Sequence, residues 1–138
     1  MAFVLDCSVT MAWVFSDEAS AVTDSLRESL IDDSAFVPAL WPVETANVLL
    51  TATRRGRIAK SEWGRIREDL RALPINIDHV ATDRVWGATL DLAEAYRISA
   101  YDAMYLELAL RLRLPLATLD RALATAARAP GVGVPWSA

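Results

Sequence analysis

Apolar residues along this chain fall into two rhythms. Short runs at Phe3-Val4-Leu5, Ala35-Phe36-Val37 and Leu114-Pro115-Leu116-Ala117-Thr118, and the alternating Ile75-Asn76-Ile77, read as strands. Between them apolar positions recur every three or four residues, the signature of one buried helix face. Ser8 caps a first helix that runs through about Phe15. A second starts at Ser16, with Ala19, Val22, Leu26 and Leu30 inward and Asp24, Arg27 and Glu28 outward. Pro38 stops the second strand, Trp41-Pro42 opens a third helix, and Gly56 closes it. Ser61 begins a fourth, carrying Trp63, Ile66, Leu70 and Leu73, and Pro74 breaks it. Thr82 or Asp83 caps a fifth, with Val85, Ala88, Leu92 and Tyr96 on its stripe. Ser99-x-x-Asp102 has the form of a capping box before an almost wholly apolar helix, which belongs at the centre of a fold. Asp120 caps a short Ala-rich helix, and Val132 to Val134 predicts a last edge strand.

Short strands alternating with helices, without hairpin turn signals, predict an α/β domain built on a parallel sheet covered on both faces. No linker or repeat divides residues 1–138, which read as a single domain.

Composition narrows the chemistry. One Cys, Cys7, permits neither an internal disulfide nor a multi-thiolate zinc site, and one His, His79, excludes a two-histidine zinc helix. Lys60 is the sole lysine among 14 basic residues, so no phosphate-binding Gly-Lys-Ser/Thr loop is present. Gly131-Val132-Gly133 lacks the rest of a dinucleotide fingerprint, and no Gly-x-Ser-x-Gly occurs. Met1 to Asp6 lacks the basic-then-apolar order of a secretory leader, and no run of about 20 apolar residues spans a bilayer. What remains is carboxylates, hydroxyls and arginines.

Four acids fall where a parallel sheet places its ligand crevice, beyond the carboxyl ends of the strands. Asp6 ends the first strand and Asp120 follows the last of the run before it; Glu44 and Asp102 lie in the first turns of the third and central helices. Each alone is explained by the helix dipole, worth about 0.3–1 kcal/mol. Together they crowd negative charge, at a cost on the order of 4 kcal/mol per pair at about 4 Å and an effective dielectric near 20. Hard divalent cations relieve that repulsion, and carboxylate-held ions suit phosphodiester chemistry by activating water and stabilising the leaving oxygen. Ser8 and Thr118, two residues from Asp6 and Asp120, are placed to support a carboxylate or a water; Asn47, one turn beyond Glu44, is placed to orient it. Arg54, Arg55 and Arg57 suit either RNA phosphates or a helix C-terminus.

Val4-Leu5-Asp6-Cys7-Ser8, Pro42-Val43-Glu44-Thr45-Ala46-Asn47-Val48-Leu49, Ser99-Ala100-Tyr101-Asp102-Ala103-Met104-Tyr105-Leu106 and Ala117-Thr118-Leu119-Asp120 together resemble the PIN-domain nucleases. In order, spacing and length they are most similar to the VapC toxins of bacterial toxin–antitoxin pairs. The resemblance implies a three-layer α/β/α fold with a mostly parallel sheet and a cytoplasmic homodimer. It implies a Mg²⁺- or Mn²⁺-dependent endoribonuclease, inhibited by a VapB-like antitoxin. By position, Asp6 and Asp102 are the central metal ligands, and Glu44 and Asp120 complete the catalytic set. Cys7 stands where the family often has Asn or Thr. Two further readings stay open on the residues. Asp6-x-Ser8-x-Thr10 faintly resembles the haloacid-dehalogenase-like phosphohydrolases, without their second Asp and with only Lys60 to act as their lysine. The other is a catalytically silent partner-binding α/β module.

Overall fold

Four short strands form one sheet in the computed structural model, which describes residues 1–136. They are β1 (Phe3–Leu5), β2 (Ala35–Pro38), β3 (Ile75–Asp78) and β4 (Leu116–Ala117). The order is β3-β2-β1-β4 and every pairing is parallel. The chain therefore winds outward from β1 to β3, then returns to lay β4 on the other side of β1. Between the carboxyl ends of β1 and β4 the winding direction reverses, and open α/β sheets form their crevice at such a switch point.

Successive side chains of β1 enter different halves of the core, as the strand period of two requires. Phe3 and Leu5 join one cluster with α1 (Cys7–Val14), α2 (Ala21–Ser29) and α3 (Trp41–Arg54). Val4 faces the other cluster, made with α7 (Ala100–Leu112) and α8 (Arg121–Arg128). The expected helices on both faces of a parallel sheet are thus present. The remaining helical segments are α4 (Trp63–Arg71), α5 (Thr82–Arg84), a π turn (Val85–Thr89) and α6 (Leu90–Tyr96). Gly56, at φ +74°, follows the end of α3 in the left-handed conformation that favours glycine.

Several boundaries differ from the sequence expectation. The helix expected from Ser16 is a 3₁₀ turn, Ser16–Glu18, followed by a new start at Ser20. Ser20 and Thr23 cap each other reciprocally, which fixes that restart. Ser8 is not a cap but lies inside α1, whose N-cap position is Asp6. Val132 to Val134 forms no strand. Leu116 N–H donates to the Gly133 carbonyl at 2.9 Å, but Pro130 and Pro135 supply no N–H and Gly131 sits at φ +97°, so no ladder propagates. Among the described residues no helix is long and apolar enough to cross a membrane.

α7 is not wholly apolar. Glu107 is only 3% exposed on it and binds Arg84 of α5 and Arg111 one turn on. Arg111 also grips both oxygens of Asp78, at the end of β3, at 3.1 and 2.6 Å. This cluster ties α7 to β3 and α5. Arg111→Met leaves Glu107 buried with half its counter-charge and is expected to cost about 3 kcal/mol. Glu107→Gln removes the buried charge and leaves arginines that reach water, so it should cost less. Urea unfolding of both variants gives the order, and the reverse order contradicts the account.

Candidate functional site

β1 ends in a buried charge. Asp6 is 7% exposed, and one of its oxygens, Oδ2, accepts from the Ser8 hydroxyl at 2.6 Å and the Thr118 hydroxyl at 2.8 Å. Both hydroxyls are oriented from behind. Ser8 Oγ accepts from Leu119 N–H and Thr118 Oγ1 from Asp120 N–H, each at 3.0 Å, which directs their protons toward Asp6. The Asp6 N–H in turn donates to the Ala117 carbonyl. The carboxyl ends of β1 and β4 are therefore stitched together at the switch point. Burial pushes the Asp6 carboxyl above the usual range, the two hydroxyls oppose that rise, and Asp120 adds repulsion.

The other three acids arrive on helix starts. Glu44 is half-buried in the first turn of α3 and accepts from the Tyr105 hydroxyl of α7. Asp102 is half-buried in the first turn of α7, where its N–H donates to the N-cap Ser99 hydroxyl at 3.0 Å. Asp120 is the N-cap of α8 and accepts from the N–H groups of Ala122 and Leu123. Burial raises the Glu44 carboxyl, and repulsion from Asp6 and Asp102 adds to it while Tyr105 opposes. Burial raises Asp102 as well, followed by repulsion from Asp120 and Asp6. The four acids thus feel one another across four elements. Beside them burial pushes the Cys7 thiol up to about 12, which keeps it a protonated core group.

None of the four is paired with a basic side chain among the described residues. Their donors are hard oxygens, matched to Mg²⁺ or Mn²⁺ rather than to a thiolate- or imidazole-seeking ion. As the side chains stand, no three His, Cys, Asp or Glu among the described residues are gathered ready to hold one ion. Ser8 and Thr118 hold Oδ2 of Asp6, Tyr105 holds Oε1 of Glu44, and N–H groups of α8 hold Oδ1 of Asp120. Mg²⁺ is commonly held by one or two carboxylates with water completing its shell, so the donor set fits a hydrated ion.

The other expected residues lie as follows. Asn47 is exposed on α3 and makes no hydrogen bond to Glu44 among those present. Arg54 and Arg55 are exposed at the far end of α3, about 15 Å along the helix from Glu44 at 1.5 Å per residue. Arg57 is committed to Asp17 and Glu18 and stacks over Phe15 at 3.9 Å. Thr10 is fully buried and accepts from Trp41 Nε1, and Lys60 lies over Trp63; neither joins the acids. Two neighbours escaped the sequence reading. Tyr105 falls in the almost wholly apolar central helix, although its hydroxyl three residues after Asp102 is the available signal. Arg121 lines a cleft of about 680 Å³ with Thr118, Leu119 and Asp120.

Repulsion and burial make these charges costly without a cation. Asp102→Asn is expected to unfold a few degrees higher than the unsubstituted protein in chelator, about 3–5 °C for roughly 1 kcal/mol in a chain of this size. Scanning calorimetry checks this, and a lower transition contradicts it.

The PIN domain family pattern matches residues 3–129. Among solved structures, the fold is similar to the crystal structure of PAE2754 from Pyrobaculum aerophilum, with a TM-score of 0.69 and 22% identity over 93% of this chain and 81% of that one. It is also similar to a toxin–antitoxin complex from Klebsiella pneumoniae, with a TM-score of 0.63 and 17% identity over 99% and 95% of the two chains. At these identities the likeness is one of fold. No curated protein matches the sequence. The family pattern nevertheless runs from the first strand through the last helix, and the chain belongs to the PIN-domain family.

Proposed function

We propose that this protein is a metal-dependent endoribonuclease, the toxin of a type II toxin–antitoxin pair. PIN domains are generally nucleases. What supports the reading is that Asp6, Glu44, Asp102 and Asp120, brought from four elements, repel one another near the switch point and have no basic partner among the described residues. Mg²⁺ or Mn²⁺, when bound there, would polarise the phosphodiester and stabilise the leaving oxygen. Asp6 and Asp102 are the proposed central ligands, and Glu44 and Asp120 the flanking ones.

The chain's own groups have distinct tasks in this reading. Ser8 and Thr118 hold Asp6 in one orientation, so the buried carboxylate is preorganised before substrate arrives. Glu44 is the proposed base that takes a proton from the attacking water. Water adds to phosphorus, the bond to the 3′ oxygen breaks, that oxygen takes a proton from solvent water, and the products are a 3′-hydroxyl and a 5′-phosphate. Arg121 lines the same cleft as Asp120 and would meet the substrate backbone there. Arg54 and Arg55 would meet RNA further along α3, and Asn47 would act only from its exposed face. Arg57 would have to leave Asp17 and Glu18 to take part.

The partners follow the same proposal. The Klebsiella structure is a toxin–antitoxin complex, and a cognate antitoxin is proposed here. Exposed Val43, Tyr101 and Leu119, each adjacent in sequence to one of the acids, offer apolar surface at the mouth of the site. A homodimer in the cytoplasm completes the reading, with Trp86, 72% exposed, as apolar surface outside the site.

Incubation of a structured RNA pool with Mg²⁺ or Mn²⁺ tests the activity. Asp6→Ala and Asp102→Asn should each lower cleavage at least about 100-fold, and chelator should abolish it. Cleavage that survives both substitutions or excess chelator contradicts the mechanism. In the absence of RNA, Mg²⁺ should raise the melting temperature of the unsubstituted protein and leave that of Asp6→Ala nearly unchanged. An equal rise in both contradicts the assignment of Asp6 as a ligand.

A further inference from the structure

Among the described residues Tyr105 is the largest fully buried side chain, at 0% exposure, yet it carries a polar hydroxyl into a cluster of apolar side chains. A phenylalanine would fill the same core volume without that polar atom. The hydroxyl is not idle: it donates to Oε1 of Glu44 across the gap between α7 and α3. Its ring belongs to the buried cluster that also holds Val4, Leu106, Leu108 and Leu116. Asp102 lies three residues earlier on α7, so one helix face presents both the Asp102 carboxylate and the group that grips Glu44.

We propose that Tyr105 is a positioning residue, which holds the Glu44 carboxylate at the acid cluster so that its second oxygen is presented to the cation and water. This rests on the nuclease reading above and assigns a role within the same site. The physical need is plain. Glu44 has a long, rotatable side chain at a half-exposed helix start, and it is repelled by Asp6 and Asp102. Left alone it would swing toward solvent, away from those charges. A donor anchored in the core opposes that escape, at little entropic cost because the ring is already immobile. Burial and the neighbouring Glu44, Asp6 and Cys7 push the phenol far above its usual range, so it stays a donor across the accessible pH range. By occupying Oε1 it leaves Oε2 for the site, as an outer hydrogen bond orients a metal-binding carboxylate.

The test is a double-mutant cycle read by calorimetric titration with Mn²⁺ alone, without RNA. Tyr105→Phe keeps the ring and removes only the donor. Glu44→Asp keeps the charge and the core but draws the carboxylate out of the hydroxyl's reach. Because Glu44→Asp also moves the proposed ligand itself, its own loss is the reference against which the double variant is read. Each should weaken Mn²⁺ binding about tenfold, and the double variant should be no weaker than the worse single one, because both sever the same contact. In cleavage assays the midpoint for Mn²⁺ should rise in parallel. Unchanged Mn²⁺ affinity in Tyr105→Phe, or losses that multiply in the double variant, overturns the positioning role. If the unsubstituted protein binds no Mn²⁺ and cleaves no RNA, the nuclease reading itself falls. If it does both and Tyr105→Phe matches it, only the role of Tyr105 falls.

Discussion

The Thr118 hydroxyl joins the two strands on which the site depends. It accepts from the Asp120 N–H and donates to Asp6, so one group sets the exit of β4 and the orientation of the acid at the end of β1. Ser8 repeats the arrangement from the other side, between Leu119 N–H and the same Asp6 oxygen. A carboxylate at 7% exposure is expensive to keep charged. Hydrogen bonds to a charged group are worth about 1.5–3 kcal/mol each, so two of them offset much of that burial without supplying a positive charge. The oxygen is held in one orientation.

The protein treats its buried acids in two ways. Glu107 sits as deep as Asp6 but is flanked by Arg84 and Arg111, and that cluster is electrically complete. Asp6, Glu44, Asp102 and Asp120 have hydroxyls and backbone N–H groups instead, which orient them without supplying a positive charge. The first arrangement stabilises α7 against its neighbours; the second tolerates repulsion at the edge of the sheet. The formal charge of −4 equals the charge of these four acids, the remaining acids and bases being equal in number at 14 each.

Periodicity made most of the architecture legible. Strand runs at Phe3, Ala35 and Ile75 became β1, β2 and β3 because apolar runs bounded by Asp6, Pro38 and Pro74 have few other outcomes. The four acids were legible for a related reason: strand ends and helix starts are readable, and a parallel sheet sends them all to one edge. What sequence did not reveal depends on tertiary direction. Ser8 read as a cap, whereas the chain enters α1 at Asp6 and turns that hydroxyl onto the acid. Tyr105 and Glu107 fell inside an apolar pattern, and only the packing of α7 shows which partners their polar atoms meet. The sequence from Val132 to Val134 has strand composition, but Pro130 and Pro135 lack N–H groups and Gly131 turns the backbone at φ +97°.

The central claim is that this uncompensated edge exists to hold a hard cation. Crystals soaked in Mn²⁺ and measured at a wavelength where manganese scatters anomalously test it directly. The account predicts a peak at the carboxyl ends of β1 and β4, about 2.1 Å from oxygens of Asp6 and Asp102 or joined to them through ordered water. A peak elsewhere, with the four acids free of any ion at saturating Mn²⁺, would contradict it.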